Sequence, residues 1–247
     1  MISDSLPWQV APGNLQLSLN EVHVWRASLD VSASEVYHFR HLLSDEEEAR
    51  AKRLYFEKDR QRWIVARGLL RTLLSRYLQV DPRQLQFSFN SYGKPFLAMP
   101  FSENGLQFNI SHSANLALYA FTYGIVGIDV EFMRENIEYE QIAQYHFSAH
   151  ECDTLLSLPT ELRQQAFFLC WTRKEAYIKA RGQGLSLPLD QFDVSLKPGD
   201  PAALLASYED PQEVQRWTFQ DLLPGPDFAG ALVVEKKTRT FSYWQAI

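Results

Sequence analysis

Trp171-Thr172-Arg173-Lys174-Glu175-Ala176-Tyr177-Ile178-Lys179 lies inside a segment whose spacing predicts one long helix over 161–181. Phe167, Phe168, Trp171 and Ile178 recur at helical intervals and define one buried face. Gly182 follows as the C-terminal stop. Glu175 and Lys179 are four residues apart and share one side of this helix. Such a pair reads either as a surface ion pair, which contributes little, or as part of a site. Its place beside Trp171 and Ile178, at the edge of the apolar face, makes the second reading worth following.

Working back along the chain, Gly127-Ile128-Asp129-Val130-Glu131 reads as a strand. Residues two apart in a strand point to the same side. Asp129 and Glu131 therefore present two carboxylates together, with Ile128 and Val130 turned to the core. Like charges side by side are unfavourable unless a cation lies between them. Mg²⁺, which takes few carboxylates and completes its shell with water and phosphate oxygens, is the natural candidate. An exposed polar strand face is the competing reading.

The same pattern of helices followed by strands occurs twice. In the first half, Ser44 and Glu47 have capping-box spacing. A helix over 59–78 follows, with Trp63, Ala66, Leu70, Leu73 and Tyr77 on its apolar stripe. Strands are expected at 22–25, 85–89, 96–98, 108–110, 115–121 and 125–132. In the second half, Ser148 and Glu151 repeat the capping-box spacing, the long helix follows, and strands are expected at 192–196, 217–222, 229–234 and 241–244. Residues 1–20 read as irregular. Helices segregated from strands indicate an α+β fold, not alternating βαβ. The turn at Thr122-Tyr123-Gly124 divides the chain into halves 1–123 and 124–247. Their similarity predicts a pseudo-symmetric pair with a cleft between them, a preferred place for a ligand.

Composition narrows the class. Of 247 residues, 46% are hydrophobic and 22% charged, which is globular composition. No run approaches a membrane span, and the opening MISDSLPWQV lacks the features of a signal peptide. Cys152 and Cys170 are the only cysteines, too few for a disulfide framework or a thiolate zinc site and suited to a reducing cytoplasm. A net charge of −6 argues against general nucleic-acid binding. The charge is uneven, however. Nine basic residues fall between Arg50 and Arg76 (Arg50, Lys52, Arg53, Lys58, Arg60, Arg62, Arg67, Arg71, Arg76), opposed only by Glu57 and Asp59. This patch suits a small polyanion or an acidic protein, or else is a solvated helix face.

In Phe108-Asn109-Ile110-Ser111-His112-Ser113 a strand is expected to end in small polar residues. Free backbone N–H groups there can hold a phosphate, and a protonated His112 can assist; a histidine capping a loop is the plainer reading. No Walker loop, dinucleotide fingerprint or nucleophile elbow is present.

Phe-Asn-Ile-Ser-His-Ser, Gly-Ile-Asp-Val-Glu and Trp-Thr-Arg-Lys-Glu-Ala-Tyr-Ile-Lys, in that order and with the Gly93-Lys94-Pro95 turn, resemble the 4′-phosphopantetheinyl transferase superfamily in its monomeric, Sfp-type branch. The resemblance runs from about Ser44 to Leu196. It implies a pseudo-dimer of two α+β halves with coenzyme A in the cleft. It implies transfer of the phosphopantetheine arm to a serine of an acyl, peptidyl or aryl carrier protein, as in holo-acyl-carrier-protein synthases, with release of 3′,5′-ADP. By resemblance, Asp129, Glu131 and Glu175 bind Mg²⁺, with Mn²⁺ as a substitute. His112, with Asn109 and Ser111 beside it, sits at the coenzyme A phosphates, and Arg50 and Lys94 match cationic coenzyme A contacts. Lys179 lies near the transferring phosphate, and Glu175 or a metal-bound water takes the serine proton. A monomer acting in the cytoplasm, without nucleic acid or membrane, is expected. The competing functions are another Mg²⁺-dependent transferase using a nucleotide diphosphate, and a non-catalytic module that holds an acidic partner.

Overall fold

A computed structural model describes residues 8–237 and 240–246. The first seven residues of the segment expected to be irregular lie outside them. The elements are, in order, β1 (Gln9–Val10), β2 (Glu21–Ser28), α1 (Ala33–Arg40), α2 (Asp45–Lys52), α3 (Glu57–Leu78), β3 (Phe87–Phe89), β4 (Pro95–Leu97), β5 (Gln107–Ser113), β6 (Leu116–Thr122) and β7 (Val126–Phe132). Then come α4 (Tyr139–His146), α5 (Ala149–Ser157), α6 (Thr160–Arg181), β8 (Phe192–Val194), β9 (Leu204–Ser207), α7 (Glu213–Arg216), β10 (Trp217–Leu222), β11 (Phe228–Glu235) and β12 (Thr240–Gln245).

Local chemistry starts and stops the helices. Ser32, Ser44 and Ser148 each accept a bond from the backbone N–H three residues on, and Glu35, Glu47 and Glu151 each reach back to the capping residue. The helix α6 ends on Gly182 in the left-handed region, where a glycine costs nothing. The matching helix α3, also of 22 residues, ends on Gln79 in the same conformation, a stop that no glycine announces.

The two halves share one plan. A strand (β2 or β7) leads through short helices to a long helix (α3 or α6). A small hairpin (β3–β4 or β8–β9) and two more strands follow (β5–β6 or β10–β11). Each half builds an antiparallel sheet in the same order, β2-β6-β5 and β7-β11-β10. The first sheet is widened to five strands by β12, which runs parallel to β2, and by β1 outside it. The last strand of the chain thus belongs to the sheet of the first half.

Alternation along the strands produces four layers. Val22, Val24, Leu118 and Ala120 of one sheet meet Val126, Ile128, Val130, Leu232 and Val234 of the other in a central core. The opposite face of the first sheet, with Trp25, Ala27 and Tyr119, packs on Leu69, Leu70 and Leu73 of α3. The opposite face of the second, with Ala229, Ala231 and Val233, packs on Phe167, Ala176 and Ala180 of α6. The architecture is α–β–β–α, an α+β pseudo-dimer.

The long helices are locked by the same device. Glu47, third in its capping box, pairs with Arg67 and with Arg71, which lies 2.7 Å away and also donates to the carbonyls of Pro82 and Leu85. Glu151 pairs with Lys174 at 2.7 Å, and Lys174 donates to the carbonyls of Leu189 and Phe192. Arg71, Glu151 and Lys174 are all buried, so these pairs are fully desolvated. Removing one partner of such a pair leaves a buried charge, at a cost of about 3–5 kcal/mol.

Candidate functional site

The site forms where β7, β5 and the last turns of α6 converge. Ile128 and Val130 point into the central core, so Asp129 and Glu131 point the other way, toward α6. Close approach of helix and strand is possible because residue 127 has no side chain. A Cβ there would stand 2.0 Å from the Ala176 carbonyl and 2.4 Å from the Ala180 nitrogen. The glycine thereby brings Glu175 and Lys179 beside the two acids of β7.

Three side chains of β5 cross to β7 in register. Asn109 Oδ1 accepts from the Ile128 N–H at 2.8 Å, Ser111 Oγ donates to Asp129 Oδ1 at 2.8 Å, and Ser113 Oγ donates to Glu131 Oε2 at 2.7 Å. This corrects two expectations. The strand does not end at Ser111-His112-Ser113 but continues through Ser113, paired with β6, so those N–H groups are not gathered to hold a phosphate. Asn109 is buried and committed to the backbone of β7, so it aligns the strands instead of reaching a ligand.

The expected pairing of Glu175 with Lys179 is also absent among the described residues. Lys179 Nζ instead donates to Asp129 Oδ1 at 2.6 Å and Ser111 Oγ at 3.1 Å. Burial, then the charge of Asp129, pushes the Glu175 carboxyl up to about 7, with Glu131 adding to the rise and Lys179 opposing it. Burial and Asp129 raise Glu131 as well. Three carboxylates therefore feel one another, with a single ammonium between them.

The donor set can be tested against a metal. All the side-chain oxygens are hard ligands, the local charge is strongly negative, and Asp129 Oδ2 is buried with no hydrogen-bond partner. These features fit a divalent cation such as Mg²⁺ or Mn²⁺. Among the described residues, however, no three His, Cys, Asp or Glu side chains are already gathered tightly enough to enclose one.

Next to the acids lies an elongated cleft of about 1370 Å³. Its walls include Arg50 and Arg53 of α2 and its end, Trp63 and Arg67 of α3, Phe87, Phe89, Gly93 and Pro95 of the hairpin, and Ser111, His112 and Lys179. His112 lies on the face of β5 opposite Ser111 and opens into this space. Burial by the surrounding wall, and then Lys179, hold its pKa below the ordinary histidine value.

The basic segment is less free than its composition suggests. Arg62 and Lys58 pair with Asp30, Arg60 with Glu57, Lys52 with Glu48, and Arg67 and Arg71 with Glu47, while Arg76 donates to the Pro12 carbonyl. Arg50 and Arg53 remain without an acidic partner among the described residues, and both face the cleft. Arg53 was not separable from its neighbours in sequence; only the fold shows which cations are already committed. Lys94, expected at coenzyme A, donates to the carbonyls of Lys179 at 2.7 Å and Val126 at 3.0 Å. Burial and Lys179 push its ammonium down to about 8.

An acid cluster with one ammonium, Lys179, adjoins a cleft of the first half in which Arg50 and Arg53 have no acidic partner among the described residues, an arrangement suited to a phosphate-bearing ligand. The comparisons with known proteins then fix the family. The family model described as "4'-phosphopantetheinyl transferase superfamily" matches residues 125–233, and that described as "4'-phosphopantetheinyl transferase, N-terminal" matches residues 25–123. The chain is 41% identical to the 4′-phosphopantetheinyl transferase HetI of Nostoc sp., across 92% of this chain and 93% of that protein. It is 36% identical to the 4′-phosphopantetheinyl transferase Sfp of Bacillus subtilis, across 67% of this chain and 72% of that protein. The chain belongs to the 4′-phosphopantetheinyl transferase superfamily.

Proposed function

We propose that this chain transfers the 4′-phosphopantetheine arm of coenzyme A to a serine hydroxyl of an acyl, peptidyl or aryl carrier protein and releases 3′,5′-ADP. The observation that carries this reading is Lys179: it lines the cationic cleft and at the same time touches Asp129 among the acids. Holo-acyl-carrier-protein synthesis is the specific reaction proposed.

Arg50, Arg53 and His112 hold the phosphates of coenzyme A along the cleft, with Ser111 at its inner end. Asp129, Glu131 and Glu175 would hold Mg²⁺, which when bound neutralises pyrophosphate charge. Glu175, on the helix beside Asp129 and Glu131, receives the serine proton, directly or through water. Once free of Asp129, Lys179 places its ammonium at the transferring phosphate, where negative charge is redistributed. Asn109 and Ser113 keep β5 and β7 in register, so the acids stay fixed while Lys179 moves.

The cleft residues of the first half and Lys179 of the second come from one chain, which supports action as a monomer. No described helix is long and apolar enough to cross a membrane, and a cytoplasmic location with carrier protein and coenzyme A as the partners is proposed. The division 1–123 and 124–247 is retained as one of function: phosphate grip in the first part, acids and proton transfer in the second.

The test is intact-mass spectrometry of an apo carrier protein incubated with the chain, coenzyme A and Mg²⁺. A gain of one phosphopantetheine mass, with 3′,5′-ADP formed in equal amount, is expected. Binding of the carrier with no change of mass would replace this reading with that of a non-catalytic module.

A further inference from the structure

The turn of the β3–β4 hairpin grips the other half of the molecule at three points. Asn90 Nδ2 donates to the Gly182 carbonyl at 2.8 Å, and Lys94 Nζ donates to the carbonyls of Lys179 at 2.7 Å and Val126 at 3.0 Å. Asn90 Oδ1 also accepts from the N–H groups of Tyr92 at 3.0 Å and Lys94 at 2.9 Å, so the residue that reaches α6 shapes the turn as well. Two of the gripped carbonyls belong to the end of α6, where helix carbonyls have no partner within the helix and where a cation is favoured. Lys94 thus acts as a C-terminal cap supplied from the opposite half. Its third acceptor, Val126 O, is the first residue of β7, so one ammonium ties the hairpin to both elements that carry the acids.

The same hairpin lines the cleft through Phe89, Gly93 and Pro95. The carbonyl that Lys94 holds belongs to the residue whose side chain meets Asp129. We propose that Lys94, assisted by Asn90, is a positioning residue for the transfer reaction: it fixes the last turn of α6 so that Lys179 meets the reacting phosphate. This rests on the transferase reading above. A lysine with two of its three N–H groups on carbonyls has one left for a ligand, so its main effect is on the helix it holds. Burial of an ammonium next to a second one is costly, and the two carbonyl bonds are what offset that cost here.

The test is a two-residue cycle of Lys94→Met, Lys179→Met and the double variant, with steady-state kinetics for coenzyme A and hydrogen exchange over residues 176–184. Lys94→Met should lower kcat about tenfold or more, since a displacement of about 1 Å at a reacting group costs on the order of 10²-fold. The KM for coenzyme A should stay within about twofold, and exchange at the end of α6 should accelerate. In the Lys179→Met background, Lys94→Met should change turnover little, because the ammonium that Lys94 positions is already gone.

A raised KM at unchanged kcat would make Lys94 a ligand contact and overturn the proposal. Independent, additive losses in the double variant would overturn it too. If turnover of Lys179→Met falls below detection, the division of the Lys94→Met effect between kcat and KM decides. If Lys94→Met does not fold, Asn90→Ala, which removes the Gly182 bond and the two turn bonds to Tyr92 and Lys94 but keeps the Lys94 ammonium, takes its place in the same cycle. Absence of transfer by the unsubstituted protein would refute the transferase reading; an active protein with the wrong cycle would refute only this inference.

Discussion

Gly127→Ala tests whether the site depends on the spacing between β7 and α6. The added Cβ would lie 2.0 Å from a backbone carbonyl and 2.4 Å from a backbone nitrogen, both fixed in the hydrogen-bonded helix. Restoring even 3.0 Å, the shortest separation real Cβ atoms tolerate, requires α6 to retreat by about 1 Å. Overpacking of this kind costs about 1–3 kcal/mol, or roughly 2–4 °C of melting temperature per kcal/mol in a chain this size. The functional effect should be larger than the loss of stability. A shift of about 1 Å would stretch the Lys179–Asp129 contact beyond hydrogen-bonding range and carry Glu175 away with it, and misplacement on this scale costs on the order of 10²-fold in rate. The assay is phosphopantetheine transfer to an apo carrier at saturating coenzyme A and Mg²⁺, at a temperature where circular dichroism shows the variant folded. A folded variant with a rate within about threefold of the unsubstituted protein would refute the argument that this close approach builds the site.

Glu175 provides a pH test. Its folded pKa of about 7 lies above the ordinary carboxylate value of 4.5, so between these values the folded state holds more protons than the unfolded one. With a chelator present, thermal stability should fall as pH rises from about 4.5 to 7, added Mg²⁺ should reverse much of the loss, and Glu175→Gln should flatten the slope. Lys174→Met, although it falls within the motif, should act on folding: denaturant unfolding should show a loss of about 3–5 kcal/mol, largely recovered by adding Glu151→Gln. His112→Ala should raise the KM for coenzyme A more than it lowers kcat, and steady-state kinetics showing an unchanged KM with lost turnover would make the histidine a group of the chemical step. Asp129→Ala should nearly abolish transfer while leaving the far-ultraviolet spectrum intact, and near-normal turnover at saturating Mg²⁺ would remove Asp129 from the site.

Much of this arrangement was legible because period and punctuation are local. The long helix around Glu175 was readable from its apolar stripe and Gly182, and the sidedness of Asp129 and Glu131 from strand alternation. The capping boxes at Ser44 and Ser148 marked two helix starts, but not that Glu47 and Glu151 would go on to hold Arg71 and Lys174. Those partners lie on other helices and depend on tertiary packing. For the same reason Arg53 could not be told from Arg62, since their difference is the presence of Asp30 beside one of them. The short elements α1, α4 and β9 escaped the reading because each carries too few residues to display a period. The end assigned to β5 was wrong because Ser and His are poor strand formers in isolation. Here their alternate hydroxyls are satisfied by carboxylates on β7, which lets the ladder continue.

The pairing of β12 with β2 makes the halves unequal as folding units. Residues 240–245 dock against residues 21–26, so this edge of the first sheet is completed by a strand made long after β2 and after every strand of the second sheet. During synthesis β2 is left with one side of its backbone unpaired until then, an exposed edge of the kind that invites pairing with other chains. Contacts this distant in sequence also slow folding, because a long loop must close before they form. The second sheet, by contrast, draws all three strands from residues 126–235. Two units of the same design therefore mature in the reverse of their order in sequence: the sheet that starts first is finished last.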